Sequence, residues 1–176
     1  MKFLLDGYGS QRLNFRLLED ADFEQWKTLF EAKDAARFLA MDTSLSPEQL
    51  CKDWFTRVYS RYKKDLGGMN VLVDKDSGKI IGQCGLLVQT VEEESRLEIA
   101  YSILPRYWSQ GYASEAAIRV KELAFEKEYS DNIISLVHPE NIASEKVAIK
   151  NGMTLEKHVA SFHGIPINVF GIDKAV

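Results

Sequence analysis

Two hydrophobic periods run along the chain: apolar residues at every second position predict strands, and apolar residues at every third or fourth position predict helices. Leu13-Asn14-Phe15-Arg16-Leu17 alternates as a first strand. Phe23, Trp26, Leu29 and Phe30 then recur at helical spacing behind Asp20 or Asp22 as candidate caps, which predicts one helix reaching Phe30. Ser46-Pro47-Glu48-Gln49 is a stronger helix start, with Ser46 as N-cap, Pro47 at the first position and Gln49 placed to return a hydrogen bond. That helix carries Leu50, Trp54, Val58 and Tyr62 on one stripe and is expected to end near Gly67-Gly68.

Strands follow. Val71–Val73 and Ile80–Gln89 flank the turn Asp74-Lys75-Asp76-Ser77-Gly78-Lys79 and predict a hairpin. The acidic Glu92-Glu93-Glu94 marks another turn, and Arg96–Leu104 a further strand. Ala113–Tyr129 reads as a long helix, with Ala116, Ala117, Val120, Leu123 and Ala124 inward. Ile133–Val137 is a short apolar run of the kind a buried strand shows. Asn141–Asn151 is a helix closed by Gly152, and Met153–Phe162 with Ile165–Ile172 makes a terminal hairpin around His163-Gly164. The sum is an α/β domain spanning residues 1–176, with a mixed sheet of about seven strands and about four helices on both faces.

Composition narrows the function classes. The chain is 45% hydrophobic and 27% charged, ordinary for a globular domain. No apolar run nears the roughly 18 residues of a membrane span. The opening Met1-Lys2-Phe3-Leu4-Leu5-Asp6 does not resemble a signal peptide, so a cytoplasmic location is expected. A net charge of −4 without a basic stripe argues against direct nucleic-acid binding. Cys51 and Cys84 read as buried free thiols, and no Cys/His grouping has zinc spacing, so no metal is expected.

The most informative stretch is Leu104-Pro105-Arg106-Tyr107-Trp108-Ser109-Gln110-Gly111-Tyr112-Ala113-Ser114. A strand ends, a short loop turns, and a long helix begins. The first amides of a helix lack intrahelical partners, and the helix dipole adds positive potential there, so such a junction attracts an anion. Gly111 and the small Ala113 allow close approach of a ligand. There is no Walker loop and no dinucleotide fingerprint, and on its own the junction reads more readily as a plain tight turn.

Leu104–Ala116 resembles motif A of the GNAT superfamily of N-acetyltransferases, whose loop reads Gln/Arg-x-x-Gly-x-Gly/Ala; here it is Trp108-Ser109-Gln110-Gly111-Tyr112-Ala113. Trp108 replaces the usual first residue, as in the ribosomal-protein (Rim-type) branch. His138-Pro139-Glu140-Asn141-Ile142-Ala143-Ser144 through Asn151-Gly152-Met153 resembles that branch's "N-x-x-S … K-x-G-F" segment. Leu13–Asp22 resembles its "L-x-L-R-P … D" opening, with Leu18 where Pro is usual. The resemblance implies the GNAT fold, with two neighbouring parallel strands, Arg96–Leu104 and Ile133–Val137, splayed apart. It implies acetyl-CoA as cosubstrate, held by Ile103, Leu104, Trp108, Ser109, Gln110, Gly111, Tyr112, Ala113, Ser114 and Asn141. It also implies acetyl transfer to a primary amine by direct attack. That amine is a protein N-terminus or a small molecule; a non-catalytic acyl-CoA sensor or scaffold is the alternative.

Such a reaction needs a base for the amine and an acid for the departing thiolate. Glu98 is the candidate base. It shares one face of its strand with Ala100 and Ser102, and a carboxylate in a central strand needs a partner or a task; a salt bridge to Arg96 or Lys79 is the plainer reading. Many family members carry a Tyr where Ala148 stands; the Rim-type resemblance implies Ser144 as the substitute acid, against a helix serine that bonds to the backbone or to coenzyme A. Tyr101 and His138 read as structural, His158 and His163 as surface residues of the hairpin, and Glu92-Glu93-Glu94 as a solvated turn. Cys84 has no nearby base to make it an acyl carrier. Either a monomer or a homodimer fits the sequence.

Overall fold

The computed structural model describes residues 2–175. Seven strands make one mixed sheet: β1 (Leu13–Arg16), β2 (Gly67–Asp74), β3 (Ile80–Val91), β4 (Glu94–Ile103), β5 (Asn132–Val137), β6 (Thr154–Phe162) and β7 (Ile165–Asp173). Their order across the sheet is β1-β2-β3-β4-β5-β7-β6. Neighbours pair antiparallel except β4 and β5, which run parallel.

Five α-helices accompany them: α1 (Phe23–Lys27), α2 (Ala35–Phe38), α3 (Pro47–Lys63), α4 (Tyr112–Glu126) and α5 (Ile142–Lys150). The fifth arises because the expected first helix is broken. A 3₁₀ turn at Asp20–Asp22 precedes α1, another at Thr28–Glu31 follows it, and α2 stands apart. Local polar competition explains the breaks. Asp22 is spent on the Glu19 amide (2.9 Å) and Arg16 (2.7 Å) and does not cap α1. Thr28 Oγ1 donates back to the Gln25 carbonyl at 2.8 Å.

The cap of α3 is as expected: Ser46 Oγ accepts the Gln49 amide at 3.2 Å, and the Gln49 side chain accepts the Ser46 amide at 3.0 Å. Gly67-Gly68, expected to end α3, instead opens β2. Gly67 has φ +70°, and a Cβ there would fall 2.0 Å from the Leu86 carbonyl oxygen of β3. Glycine serves close strand approach here, not helix termination.

Side-chain alternation builds a core on each face of the sheet. Phe15, Leu72, Ile81 and Ile99 pack with Val120, Leu123 and Ala148 of α4 and α5. Met69, Val71 and Leu104 pack on the other face with Trp26, Leu29, Trp54 and Val58 of the α1–α3 segment. Along β4, Ile99 belongs to the first core, whereas Ala100 packs against the second.

Candidate active site

β4 and β5 touch as a parallel ladder at Glu98 opposite Ile134. Side chains add ties between them, from Arg96 Nη2 to Asn132 Oδ1 at 2.6 Å and from Ser135 Oγ to the Ile99 carbonyl at 2.8 Å. From Ala100 onward the two strands part, as the splayed arrangement requires. The gap opens a cleft of about 1810 Å³ lined from both faces of the sheet. Strand alternation would send Glu98 and Tyr101 to opposite faces; because the gap passes through the sheet, both line the same cleft.

The loop before α4 forms one wall. Gly111 takes the left-handed conformation (φ +81°) at the N-cap position, and no side chain caps the helix. Ser109 is also left-handed, at φ 60°. Among the described residues, none of the amides from Ser109 to Ser114 has a protein acceptor. Those donors, at the N-terminus of a 15-residue helix, fit a diphosphate. Trp108, Ser109, Gly111, Tyr112, Ala113 and Ser114 line the cleft.

Two expected contributors do not line it. Gln110 turns away, its side-chain amide donating to the Arg106 carbonyl at 3.3 Å and its own carbonyl accepting Arg12 Nη1 at 3.1 Å. Leu104 is buried in the α3-side core, with its amide on the Ile81 carbonyl (2.9 Å) and its carbonyl on the Tyr107 amide (2.9 Å). Both of its backbone groups are committed. Ile103 does reach the cleft, and its carbonyl already accepts the Trp108 indole at 2.7 Å. The indole therefore fixes the loop against the strand end, although Trp108 keeps 53% of its surface exposed.

Glu98 is 6% exposed and ion-pairs with neither Arg96 nor Lys79. Gln89 Nε2 on β3 donates to its carboxylate at 2.7 Å. Burial raises its pKa, and the Gln89 bond, the charge of Arg61 and the Leu136 amide oppose the rise without cancelling it. A carboxylate with a raised pKa in a cleft is suited to taking a proton from an ammonium group.

On the other side of the gap, Tyr101 Oη donates to the Ser144 carbonyl at 2.8 Å, and Ser144 Oγ lies 3.3 Å from Tyr101 Oη. Tyr101 thus does more than fill the core: it ties α5 to β4. Burial pushes its phenol pKa up, so it stays protonated at neutral pH. Asn141 caps α5, its Oδ1 accepting the Ser144 amide at 3.2 Å, and still lines the cleft. Ala148 of α5 is fully buried and packs in the core.

His138 makes local contacts, its Nδ1 accepting the Glu140 amide at 3.1 Å and its ring packing on Phe38, and it also lines the cleft. His163 is exposed, as expected, and also lines the cleft at the hairpin tip beside Phe162. Glu92 and Glu94 are exposed and pair with Lys157 and Arg96. Both cysteines are buried and free, and burial pushes the Cys51 thiol up to about 12 and raises Cys84 too, which makes both poor nucleophiles. No group among the described residues is arranged to hold a metal ion, and no described helix is long and apolar enough to cross a membrane.

Sequence reasoning missed Gln89 and Arg61, the neighbours of Glu98, and Arg12. Arg12 stacks over Tyr112 with its guanidinium carbon 4.1 Å from the ring centroid, and binds Glu115 of α4 at 2.5 Å. It lies about 100 residues before that loop, and no local pattern pairs the two.

Comparison with known proteins agrees with this geometry. The chain is 29% identical over 163 residues to the uncharacterized protein YkkB of Bacillus subtilis (strain 168), covering 92% of each chain. Its fold matches the acetyltransferase of Agrobacterium tumefaciens str. C58, with a TM-score of 0.79 at 22% identity over 99% of this chain and 98% of that one. It also matches the fold of RimL, a ribosomal L7/L12 alpha-N-protein acetyltransferase in complex with coenzyme A, with a TM-score of 0.72 at 16% identity over 95% and 97% of the two chains. Residues 12–154 match the acetyltransferase (GNAT) domain family. The chain belongs to that family and is an acetyltransferase of the GNAT fold.

Proposed function

We propose that this protein transfers an acetyl group from acetyl-CoA to a primary amine by direct attack. One observation carries the reading. Unpartnered amides at the α4 N-terminus and a buried carboxylate with a raised pKa line a single cleft, at the point where β4 and β5 part. Bound acetyl-CoA would supply the activated acyl group and a thiolate leaving group.

The protein residues then divide the work. The Ser109–Ser114 amides, with Asn141 close by, hold the diphosphate. Glu98 accepts the proton that the ammonium must lose before it can attack, directly or through a water. Ser144 Oγ is the candidate donor to the leaving thiolate, oriented by Tyr101. A protein N-terminal amine and a small-molecule amine are both compatible with this arrangement. The RimL neighbour, named for an alpha-N-protein activity, supports the first by fold alone.

The test is thiol release from acetyl-CoA across a panel of amines, beside acetyl-CoA binding by calorimetry. Amine-dependent release that collapses in Glu98→Gln supports the reading. Tight binding without release on any amine would leave a non-catalytic acyl-CoA sensor instead.

A further inference from the structure

The α3 side of the cleft holds two guanidinium groups that make no contact ion pair among the described residues. Arg57 and Arg61 stand four residues apart on α3, hence on one face of the helix, and both line the cleft. Neither is in an ion pair among the described residues. Arg61 Nη2 donates to the Leu66 and Val88 carbonyls at 2.8 and 2.6 Å. That anchors the group next to Gln89, the residue that holds Glu98, and leaves Nη1 without a protein acceptor. Arg57 makes one protein bond, from Nη1 to the Leu39 carbonyl at 3.3 Å.

Of the four acidic residues that line the cleft, Glu31, Asp34, Glu98 and Glu140, two share one arginine. Arg37 pairs with both Asp34 and Glu140. One guanidinium thus serves two of the carboxylates that would otherwise draw a polycation, whereas Arg57 and Arg61 feel the charges of Asp53 and Glu98 without contact ion pairs. Crowding by the protein lowers the pKa of both arginines by desolvation, and a guanidinium still keeps its charge. Arg61 is half-buried with its Nε unpartnered, and such a charge is costly unless a ligand completes it, whereas Arg57 is exposed.

We infer that the acceptor carries a carboxylate as well as its amine, and that Arg57 and Arg61 hold the carboxylate while Glu98 faces the amine. Leu29, Phe38, Trp54, Met69 and Leu87 line the same region and would enclose an apolar portion. The chemistry fits a free amino acid, or a peptide whose N-terminal residue is followed by an acidic side chain. This inference rests on the acetyl-transfer reading for its choice of amine, but its binding test does not need turnover.

The experiment uses matched probes: L-leucine, L-phenylalanine and γ-aminobutyrate against their carboxamides, and a short peptide with Asp in second place against the same peptide with Asn. Each is titrated calorimetrically into the protein saturated with coenzyme A, and each is assayed for thiol release with acetyl-CoA. The expected result is a preference of about tenfold or more for an acid over its uncharged partner, as charge-assisted bonds supply. That preference should vanish in Arg57→Gln and Arg61→Gln and survive in part in Arg57→Lys. Which probe pair shows it separates free amino acid from peptide. Should Arg61→Gln fail to fold, Arg57→Gln carries the test, because only one long bond is lost with it.

Equal handling of acids and amides, a preference indifferent to both arginines, or no binding of any acid probe overturns the inference. Arginine-dependent binding of the acids without any thiol release would uphold it while removing the acetyl-transfer reading. Equal turnover of acids and amides would do the reverse.

Discussion

Glu98 on β4 stands opposite Ile134 on β5 at the register point beyond which the two parallel strands separate. The divergence has a chemical consequence. In a continuous sheet, residues of one strand that differ by an odd number face opposite layers. Here the gap lets Glu98, from the α3 layer, and Tyr101, tied to α5, line one cleft. A donor held by α4 and α5 can therefore meet an acceptor coming from the α3 side.

Removing the carboxylate tests the base. Glu98→Gln should lower kcat by about 10² or more, the usual contribution of general base catalysis. Wild-type activity should rise with pH as Glu98 loses its proton, at a pKa above the ordinary glutamate range, and that limb should flatten in the variant. Full activity of Glu98→Gln over roughly pH 6 to 9 would remove Glu98 from the role.

The same residue makes a stability prediction with a definite sign. Because its pKa is raised on folding, the native state holds the proton longer than the unfolded chain does. Its contribution is fully present below the unfolded value and is lost as pH rises through the folded one. The Tm of Glu98→Gln relative to wild type should therefore increase from acidic to neutral pH. A constant difference in thermal scans would contradict the burial argument.

Gly111→Ala separates binding from folding. A Cβ at this position would meet only Arg12 Nη2, at 3.5 Å, so no clash unfolds the loop. The cost is the left-handed backbone, roughly 1–2 kcal/mol for a residue with a side chain. A modest fall in Tm should accompany a clear rise in the Kd for acetyl-CoA by calorimetry. An unchanged Kd would mean that the loop amides do not hold the cosubstrate.

Glu115 governs the acid side of stability. Burial alone would raise its pKa, but the Ser10 hydroxyl, the Arg12 amide and the Arg12 guanidinium together lower it. A depressed carboxylate adds stability above its unfolded value, near 4.5, and loses it as pH falls through the folded value. Glu115→Gln should cost stability at neutral pH, with the gap to wild type closing under acid. Glu115 is part-buried and Arg12 more exposed, which keeps the effect to about 1 kcal/mol.

Ser144→Ala and Tyr101→Phe should differ. If Ser144 supplies the thiolate proton, its loss lowers kcat by about 10² while the acetyl-CoA Kd stays close to wild type. Tyr101→Phe breaks the bond that ties α5 to β4, so it should lower Tm as well as kcat. Equal kcat in Ser144→Ala and wild type would move the search for the acid to Tyr101.

The sequence by itself determined the seven strands, the long helices and the loop at Trp108–Ala113. Each rests on local periodicity, a cap or a strand-to-helix junction, and those signals act over a few residues. It could not show that the segment after Asp22 breaks up, because Arg16 and the Glu19 amide compete for that carboxylate. Nor could it show that Gly67 opens a strand, because the Leu86 carbonyl that forbids a Cβ there lies on another strand.

Within the site, Glu98, Ser144 and most of the loop were legible from strand alternation and motif resemblance. Tertiary structure alone decided their company. Gln89 and Arg61 reach Glu98 from β3 and α3, Arg12 reaches Glu115 from before β1, and Leu104 turns into the core. These contacts join residues far apart in the chain. Their burial and charge depend on how the layers pack, which no local sequence period encodes.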